Sequence, residues 1–196
     1  MIQIAIFASG NGSNAKQLIS YFNSKPNSIA KISLIVTNNK SAGVLEIAVS
    51  HKINTHILSR ADFYDSEKTL LFLKEQNIDL IILAGFLWLI PQNLIRTFEN
   101  KIINIHPALL PKFGGKGMHG IHVHQAVKES QEIETGITIH FVNEKYDDGK
   151  ILFQAKCSVD KDDSSYDIEQ KVHKLEHLYF APTIENLLLA DLTPTL

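Results

Sequence analysis

Leu80-Ile81-Ile82-Leu83-Ala84 is the stretch on which the fold depends. An apolar residue at every position predicts a strand that is buried on both faces, and Ile32-Ser33-Leu34-Ile35-Val36 has nearly the same character. Strands of this kind belong to parallel sheets that carry helices on each side. We therefore predict an α/β fold with a doubly wound, Rossmann-like sheet.

Short β-rich runs alternate with helical patterns through the first half of the chain. Strands are predicted at residues 3–8, 30–37, 55–58, 80–84 and 101–105. Helices are predicted at residues 14–22, 42–51, 66–76 and 92–98. Ligands of such sheets bind beyond the carboxyl ends of the strands, so the loops after the first strand and after Ile105 are the places to look.

The pattern changes after about residue 129. Strand-like runs at 135–141 and 151–156, joined by the polar loop 143–150, predict an antiparallel hairpin. A helix is predicted from Ser164 or Ser165 to Pro182, where we expect a kink or a restart, and residues 191–196 look like a frayed tail. The sequence has no internal repeat and no long linker, so one domain over 1–196 is expected, with halves at 1–100 and 101–190.

Composition excludes several classes of protein. The net charge is -2 and the positive residues are scattered, which disfavours nucleic-acid binding. Cys157 is the single cysteine, so an internal disulfide is impossible and a cytoplasmic location is expected. It has no basic partner nearby, which argues against a nucleophilic role. No stretch has the length of a membrane span or the pattern of a signal peptide, and we expect a monomer or a weak homodimer.

Asn104-Ile105-His106-Pro107 carries the first candidate functional residues. Alternation in an extended strand sends the amide and the imidazole to one face, where both can reach one substrate atom, while Ile105 turns to the core. Such a pair at a strand end is more often ordinary loop chemistry. The remaining motifs must therefore decide between these interpretations.

Ser9-Gly10-Asn11-Gly12-Ser13-Asn14 follows the first strand and opens the first helix. With Ala15 it imitates the dinucleotide fingerprint, but the second strand ends in Val36-Thr37-Asn38-Asn39, without the acid that holds a ribose. The motif therefore predicts a phosphate site made of backbone amides with the Ser13 and Asn14 side chains. A tight turn without a ligand is the alternative.

Gly114-Gly115-Lys116-Gly117-Met118-His119-Gly120 lacks the spacing of a nucleotide-binding loop, and we interpret it as a flexible loop. His119, His122 and His124 lie close together in the sequence. A metal site is disfavoured, because neither a cysteine nor a nearby carboxylate completes a ligand set. One of these histidines is expected to support the central site.

Asn143-Glu144-Lys145-Tyr146-Asp147-Asp148-Gly149 places two adjacent carboxylates at the tip of the predicted hairpin. Asp-Gly is first of all a turn signal. A functional role requires one carboxylate to reach His106, where it would raise the pKa of the imidazole and make it a usable acid. The residues alone leave the choice between Asp147 and Asp148 open.

Several motifs together resemble the phosphoribosylglycinamide formyltransferase family, in order along nearly the whole chain. They are the 9–14 loop, Leu83-Ala84-Gly85-Phe86, Asn104-Ile105-His106-Pro107 with Leu109-Leu110-Pro111, His122-Val123-His124, Thr135-Gly136 and Asp147-Asp148-Gly149. The resemblance implies a formyltransferase domain that transfers a formyl group from 10-formyltetrahydrofolate to the amine of glycinamide ribonucleotide, in purine synthesis. No metal is implied.

Family roles carried onto matching positions give three sets of site residues. The catalytic set is Asn104, His106 and Asp147, which the family pattern favours over Asp148. The ribonucleotide set is Gly12, Ser13, Asn14 and Glu176; the folate set is Leu87, Trp88, Leu89, Ile90 and Asn104. Two departures stand out: Trp88 replaces a frequent arginine, and the 114–120 loop is longer than the family's usual turn.

Three other functions remain as alternatives. A formyltetrahydrofolate hydrolase would be expected to carry an additional N-terminal domain, and an initiator-tRNA formyl transferase an additional basic domain. A binding module for nucleotide or folate would bind its ligand without any formyl transfer.

Overall fold

A computed structural model describes residues 1–192 of the chain. The strands are β1 (Ile2–Phe7), β2 (Ala30–Thr37), β3 (Asn54–Ile57), β4 (Leu80–Leu83), β5 (Ile102–His106), β6 (Glu134–Phe141) and β7 (Ile151–Ser158). The helices are α1 (Ser13–Asn23), α2 (Val44–Ser50), α3 (Arg60–Tyr64), α4 (Lys68–Glu75), α5 (Gln92–Thr97), α6 (Ile121–Glu129) and α7 (Ser165–Leu192). Every predicted strand is confirmed, with bounds that differ by a few residues.

The strands of this part of the chain form one 7-stranded sheet in the order β3-β2-β1-β4-β5-β6-β7. The five strands β1 to β5 are parallel. β6 and β7 add to the sheet in antiparallel fashion, as the predicted hairpin. The strand order reverses between β1 and β4, and a ligand crevice opens beyond the strands at such a point.

β1 explains why the inner strands are apolar at every position. Ile4 and Ile6 belong to the core that α1, α2 and α7 cover, whereas Ala5 and Phe7 belong to the core that α3, α4 and α5 cover. All four side chains have no solvent exposure. Burial of an isoleucine or phenylalanine side chain contributes about 1.5–3 kcal/mol, so the two cores together hold the strand ends in place.

Two helices, α3 and α6, were not predicted from the sequence. α3 has 5 residues and depends on Ser59, whose side chain accepts a hydrogen bond from the Asp62 amide. α6 follows the glycine-rich loop and buries only one narrow stripe, which includes Val123, His124 and Val127. A buried histidine interrupts the apolar period, which is why the helical pattern is weak in the sequence.

The predicted restart at Pro182 is wrong, because α7 runs through this residue, whereas the predicted kink stays a prediction. A proline inside a helix lacks the backbone donor for the carbonyl four residues earlier, which here is that of Leu178. The Thr183 hydroxyl donates to the neighbouring Tyr179 carbonyl at 2.7 Å and adds a hydrogen bond to this turn. Leu178 is 60% exposed, so water can reach the carbonyl of that turn.

The carboxyl end of α7 overlaps the segment that was predicted to fray. Residues 191 and 192 are helical, and residues 193–196 lie outside the described part of the chain. Within residues 1–192, no helix is both long enough and apolar enough to cross a bilayer.

Candidate active site

A cavity of about 680 Å³ opens at the carboxyl ends of β1, β4 and β5. The loops that follow these three strands line it, together with the hairpin loop between β6 and β7 and one side of α7. All three predicted sets of site residues border this one cavity. The parallel strands cause this convergence, because their loops leave the sheet at the same edge.

His106, the last residue of β5, is 3% exposed, and both of its ring nitrogens face acceptors. Nε2 lies 2.8 Å from the carbonyl oxygen of Phe113, to which it donates. Nδ1 lies 3.5 Å from Oδ2 of Asp147. A neutral imidazole has one proton, so only the imidazolium satisfies both contacts.

Asp147 is held by several contacts at the tip of the hairpin. Its backbone has a φ of 53°, a left-handed conformation that aspartate tolerates better than most residues. The Gly115 amide donates to Oδ2 at 2.9 Å, and the Asn104 amide group donates to Oδ1 at 3.4 Å. Asp148 points away, its side chain 53% exposed and 3.7 Å from Lys145. Asp147 is thus the carboxylate that reaches His106.

His140 completes this cluster, and the sequence analysis did not identify it as a site residue. It pairs with Asn104 across β6 and β5. Its Nδ1 lies 2.8 Å from the Phe141 carbonyl oxygen and donates to it, and its Nε2 lies 3.1 Å from the Asn104 amide nitrogen and 3.7 Å from Oδ1 of Asp147. The signal in the sequence was a histidine on the first strand of the predicted hairpin. Without the register of the pairing, that signal could not be used.

The pKa of His106 differs from the prediction. Burial, the largest influence, lowers this pKa below the ordinary value, whereas Asp147 and the Phe113 carbonyl raise it by smaller amounts. The expected net rise is therefore wrong, although the effect of Asp147 has the expected sign. For Asp147 itself burial also opposes the charge, but contacts with His140, His106 and the Gly115 amide outweigh it and lower the pKa.

The glycine-rich loop contributes backbone groups to the site, a role that the sequence analysis did not assign to it; its expected flexibility stays a prediction. Phe113, at a φ of 56°, turns its carbonyl to His106, and Gly115 turns its amide to Asp147. A side chain at residue 114 would meet the Leu110 side chain at 2.5 Å and the Asp147 Cβ at 3.1 Å. The paired glycines thus allow the backbone to approach Asp147 closely.

The predicted phosphate loop opens helix α1. Gly12 precedes the helix with a φ of 77°, and a Cβ there would meet the Val44 side chain at 2.7 Å. Ser13 and Asn14 form the first turn, which contains no acidic residue, so its backbone N–H groups can receive an anion. The Asn14 side chain, by contrast, donates to Oε2 of Glu176 at 2.9 Å.

Glu176 lies on α7 beside the phosphate loop and is 5% exposed. His173, one turn earlier, lies 3.7 Å from Oε2. Burial raises the pKa of Glu176 above the ordinary 4.5, while the Asn14 hydrogen bond and His173 oppose that rise. A carboxylate that is kept buried at a cost to stability is typical of a binding site.

We expect Glu176→Gln to stabilise the protein without ligands. A carboxyl group whose folded pKa is raised costs stability increasingly as the pH rises above 4.5, and glutamine does not titrate. At pH 7 the melting temperature should rise by about 2–4 °C, which corresponds to about 1 kcal/mol. Thermal unfolding from pH 4 to 8 measures this. Glu129→Gln, on the exposed face of α6, is the control. An equal shift of the melting temperature in both variants that does not depend on pH would contradict the explanation.

The predicted folate residues form an apolar wall. The Leu87 amide donates to the Ser9 hydroxyl at 3.1 Å, and the Leu89 carbonyl accepts from the Tyr64 hydroxyl at 3.0 Å. Ile90 is buried, whereas Leu87 is 45% exposed at the rim. These bonds fix the backbone of the wall to the loop after β1 and to α3.

Trp88 packs among aromatic rings, with centroids 5.7 Å from Phe63 and 5.8 Å from Tyr64. The Arg60 guanidinium lies 5.7 Å from the Trp88 ring. Arg60 belongs to α3, so a guanidinium group reaches this wall from an element that the sequence analysis missed.

The remaining histidines of the sequence analysis, and Cys157, lie outside the cluster of Asn104, His106, His140 and Asp147. His119 and His122 contact each other edge to face, with centroids 5.7 Å apart, and His124 is buried in α6. In residues 1–192 no group of three or more His, Cys, Asp or Glu side chains has a geometry that could hold a metal ion. Burial raises the pKa of Cys157, as expected for an unreactive thiol.

Comparisons with known proteins identify relatives of this chain. The model of the formyl transferase family matches residues 2–184. A chloroplastic phosphoribosylglycinamide formyltransferase of Arabidopsis thaliana is 38% identical over 188 residues, 93% of this chain and 64% of the plant protein. The Bacillus subtilis phosphoribosylglycinamide formyltransferase is 35% identical, over 96% of this chain and 95% of its own length.

Solved structures resemble the chain equally closely. The crystal structure of glycinamide ribonucleotide transformylase 1 from Geobacillus kaustophilus has a TM-score of 0.86 and 31% sequence identity. The similarity covers 95% of this chain and 98% of that one. The chain therefore belongs to the formyl transferase family, in the group of the phosphoribosylglycinamide formyltransferases.

Proposed function

We propose that this protein transfers the formyl group of 10-formyltetrahydrofolate to the amine of glycinamide ribonucleotide, in de novo purine biosynthesis. The observation that carries the proposal is the convergence of Asn104, His106 and Asp147 in one cavity, between a phosphate loop and an apolar wall. The relatives of Bacillus subtilis and Arabidopsis thaliana bear the name of this activity.

The two ligands fit different parts of the cavity. Backbone amides at Gly12, Ser13 and Asn14 suit the phosphate of the ribonucleotide, and the buried Glu176 carboxylate suits ribose hydroxyl groups. Leu87, Trp88, Leu89 and Ile90 suit the flat ring system of the folate, which supplies the formyl carbon when bound. Asn104 lies between the two parts.

Asn104 and His106 supply donors to the formyl oxygen, on which negative charge develops as the amine attacks. In the imidazolium form His106 donates from Nδ1, because Nε2–H is already bonded to the Phe113 carbonyl. The Asn104 side-chain amide contacts His140 at 3.1 Å and Asp147 at 3.4 Å. The longer contact, to Asp147, is the weaker one, so the N–H group that makes it is available to donate to the formyl oxygen. Donors fixed before substrate binds need no reorganisation during the reaction.

Asp147 holds His106 in the imidazolium form, with a proton on Nδ1, and can help a water move the proton of the attacking amine to the leaving folate nitrogen. Its position, 3.5 Å from Nδ1, supports the first of these roles. The folded carboxyl group remains charged near neutral pH, because its pKa is lowered. No covalent enzyme intermediate is required.

An activity assay with both substrates tests the proposal. We expect formyl glycinamide ribonucleotide and tetrahydrofolate in equal amounts. Release of formate that does not depend on the ribonucleotide would indicate a hydrolase instead, and tight binding without turnover would indicate a binding module. Either outcome would refute the proposed function.

Three further expectations accompany this proposal. We propose that residues 1–196 act as one formyltransferase domain, in which 1–100 bind phosphate and 101–190 supply the catalytic residues and Asn104 of the folate set. The single sheet that joins both halves supports one domain. The other folate residues, 87–90, come from the first half, so the folate site is shared between the halves. A cytoplasmic location and a monomer or weak homodimer remain predictions from composition; the Arabidopsis thaliana relative is named as chloroplastic.

A further inference from the structure

His124 is a buried histidine of the cavity to which the steps above give no role. It is 2% exposed, lies on α6 and lines the cavity. Within the described residues, its Nδ1 is enclosed and has no hydrogen-bond partner. A buried polar atom without a partner costs about 1–3 kcal/mol, so the retention of an imidazole here needs a reason.

The surroundings of His124 fix its protonation. Burial, together with the nearby His173 and His106, lowers its pKa to about 4, so the ring is neutral at pH 7. A neutral ring carries one proton, and a proton on Nδ1 would be an enclosed donor without an acceptor. An unsatisfied acceptor is tolerated better in protein interiors than an orphaned N–H group. The proton therefore belongs on Nε2, on the edge of the ring away from the enclosed Nδ1.

The position of His124 along the cavity suggests its ligand. It lies close enough to both His106 and His173 for their charges to affect its pKa, and His173 in turn contacts Glu176. His124 is thus near both the predicted centre of formyl transfer and the predicted ribose site, on the wall of the same cavity. In glycinamide ribonucleotide, the group between the ribose and the reacting amine is an amide.

We propose that Nε2–H of His124 donates a hydrogen bond to the amide carbonyl of the glycinamide group and so positions the amine before His106. The inference rests on the proposed function. An uncharged donor suits an uncharged carbonyl group, since no charge has to be buried without a partner. His124 is then a positioning residue, and it distinguishes the glycinamide chain from the phosphate and the ribose.

Binding measurements with two ligands test this inference. Ribose 5-phosphate keeps the phosphate and sugar of glycinamide ribonucleotide but lacks its amide. For His124→Leu we expect about 10-fold weaker binding of the ribonucleotide, which corresponds to about 1.4 kcal/mol, and unchanged binding of ribose 5-phosphate. His124→Gln, whose amide can donate from nearly the same place, should recover most of the affinity.

Three results would overturn the inference. An equal loss for both ligands would indicate a structural role or a contact with the ribose, and no loss for either would exclude a contact. A ratio of ribonucleotide affinities between wild type and His124→Gln that changes between pH 6 and 8 would contradict a neutral donor, since ionisation of the substrate amine cancels in this ratio. His122→Leu, on the exposed face of the same helix, is the control and should bind both ligands normally.

A measurement on the wild-type protein covers the case in which His124→Leu does not fold. In ¹⁵N-histidine spectra, assigned with His124→Gln, we expect the His124 proton on Nε2 and a shift with the ribonucleotide but not with ribose 5-phosphate. A proton on Nδ1, or equal shifts with both ligands, would overturn the inference. If the wild type binds the ribonucleotide as expected but fails to transfer formyl groups, the proposed reaction fails and the contact stands.

Discussion

Replacement of His106 by alanine is expected to lower kcat by about 10²–10³-fold, because it removes a donor from the oxygen on which charge develops. The effect should fall on kcat and kcat/KM together, with little change in the binding of either ligand alone. Such a pattern indicates an interaction made only in the transition state. Single-turnover measurements with saturating substrates separate this step from product release.

The loss of a buried ring also weakens packing, so stability has to be measured beside activity. His106 is 3% exposed, and its removal leaves the Phe113 carbonyl without its partner. His56→Ala is a suitable control, since His56 stacks on Phe72 at 4.2 Å on the edge strand β3 and does not border the cavity. Near-normal turnover in a folded His106→Ala protein would refute the assignment.

The sequence determined the part of the site that depends on strand ends. Asn104 and His106 belong to one extended segment, and Gly12 belongs to the loop after β1, so local periodicity and the rule for parallel sheets suffice to bring them together. The parallel sheet itself followed from the apolar strands β2 and β4, because both of their faces are covered by helices.

The contacts that tune the site depend on register and on loop geometry, which a single sequence does not specify. His140 supports Asn104 only because β6 pairs with β5 in one particular register. Phe113 and Gly115 contact His106 and Asp147 through backbone atoms, which any residue possesses. Their side chains therefore gave no signal of the role of this loop.

Burial explains why the pKa of His106 was predicted with the wrong sign. A charge partner can be inferred from a motif, whereas desolvation depends on how closely the whole fold encloses a group. The same reasoning applies to Glu176, whose position on a helix resembled that of a solvated charge although the side chain is 5% exposed. Enclosure by α1 and α7 is a property of tertiary packing.

Asp147→Asn should lower kcat by about 10²-fold at pH 7 and change how activity depends on pH. Asparagine adopts the left-handed backbone at this position as readily as aspartate, and its carbonyl oxygen can still accept from the Gly115 amide. The substitution therefore removes mainly the charge. Asp148→Asn changes the neighbouring, half-exposed carboxylate and is the matched control, which should retain nearly full activity.

The pH dependence identifies the role of the charge. Burial lowers the pKa of His106 and Asp147 opposes that effect, so in Asp147→Asn the pKa of His106 falls further. If charged His106 is the donor, activity declines as the pH rises through this pKa, and the decline moves to lower pH in the variant. The deficit in activity relative to wild type should grow with pH between the two pKa values and remain constant above them.

Ionisation of the substrate amine affects both proteins equally and cancels in the ratio of the wild-type activity to the variant activity. If NMR titration of His106 in both proteins gives two different pKa values and the deficit stays the same through both of them, Asp147 acts on the substrate proton alone.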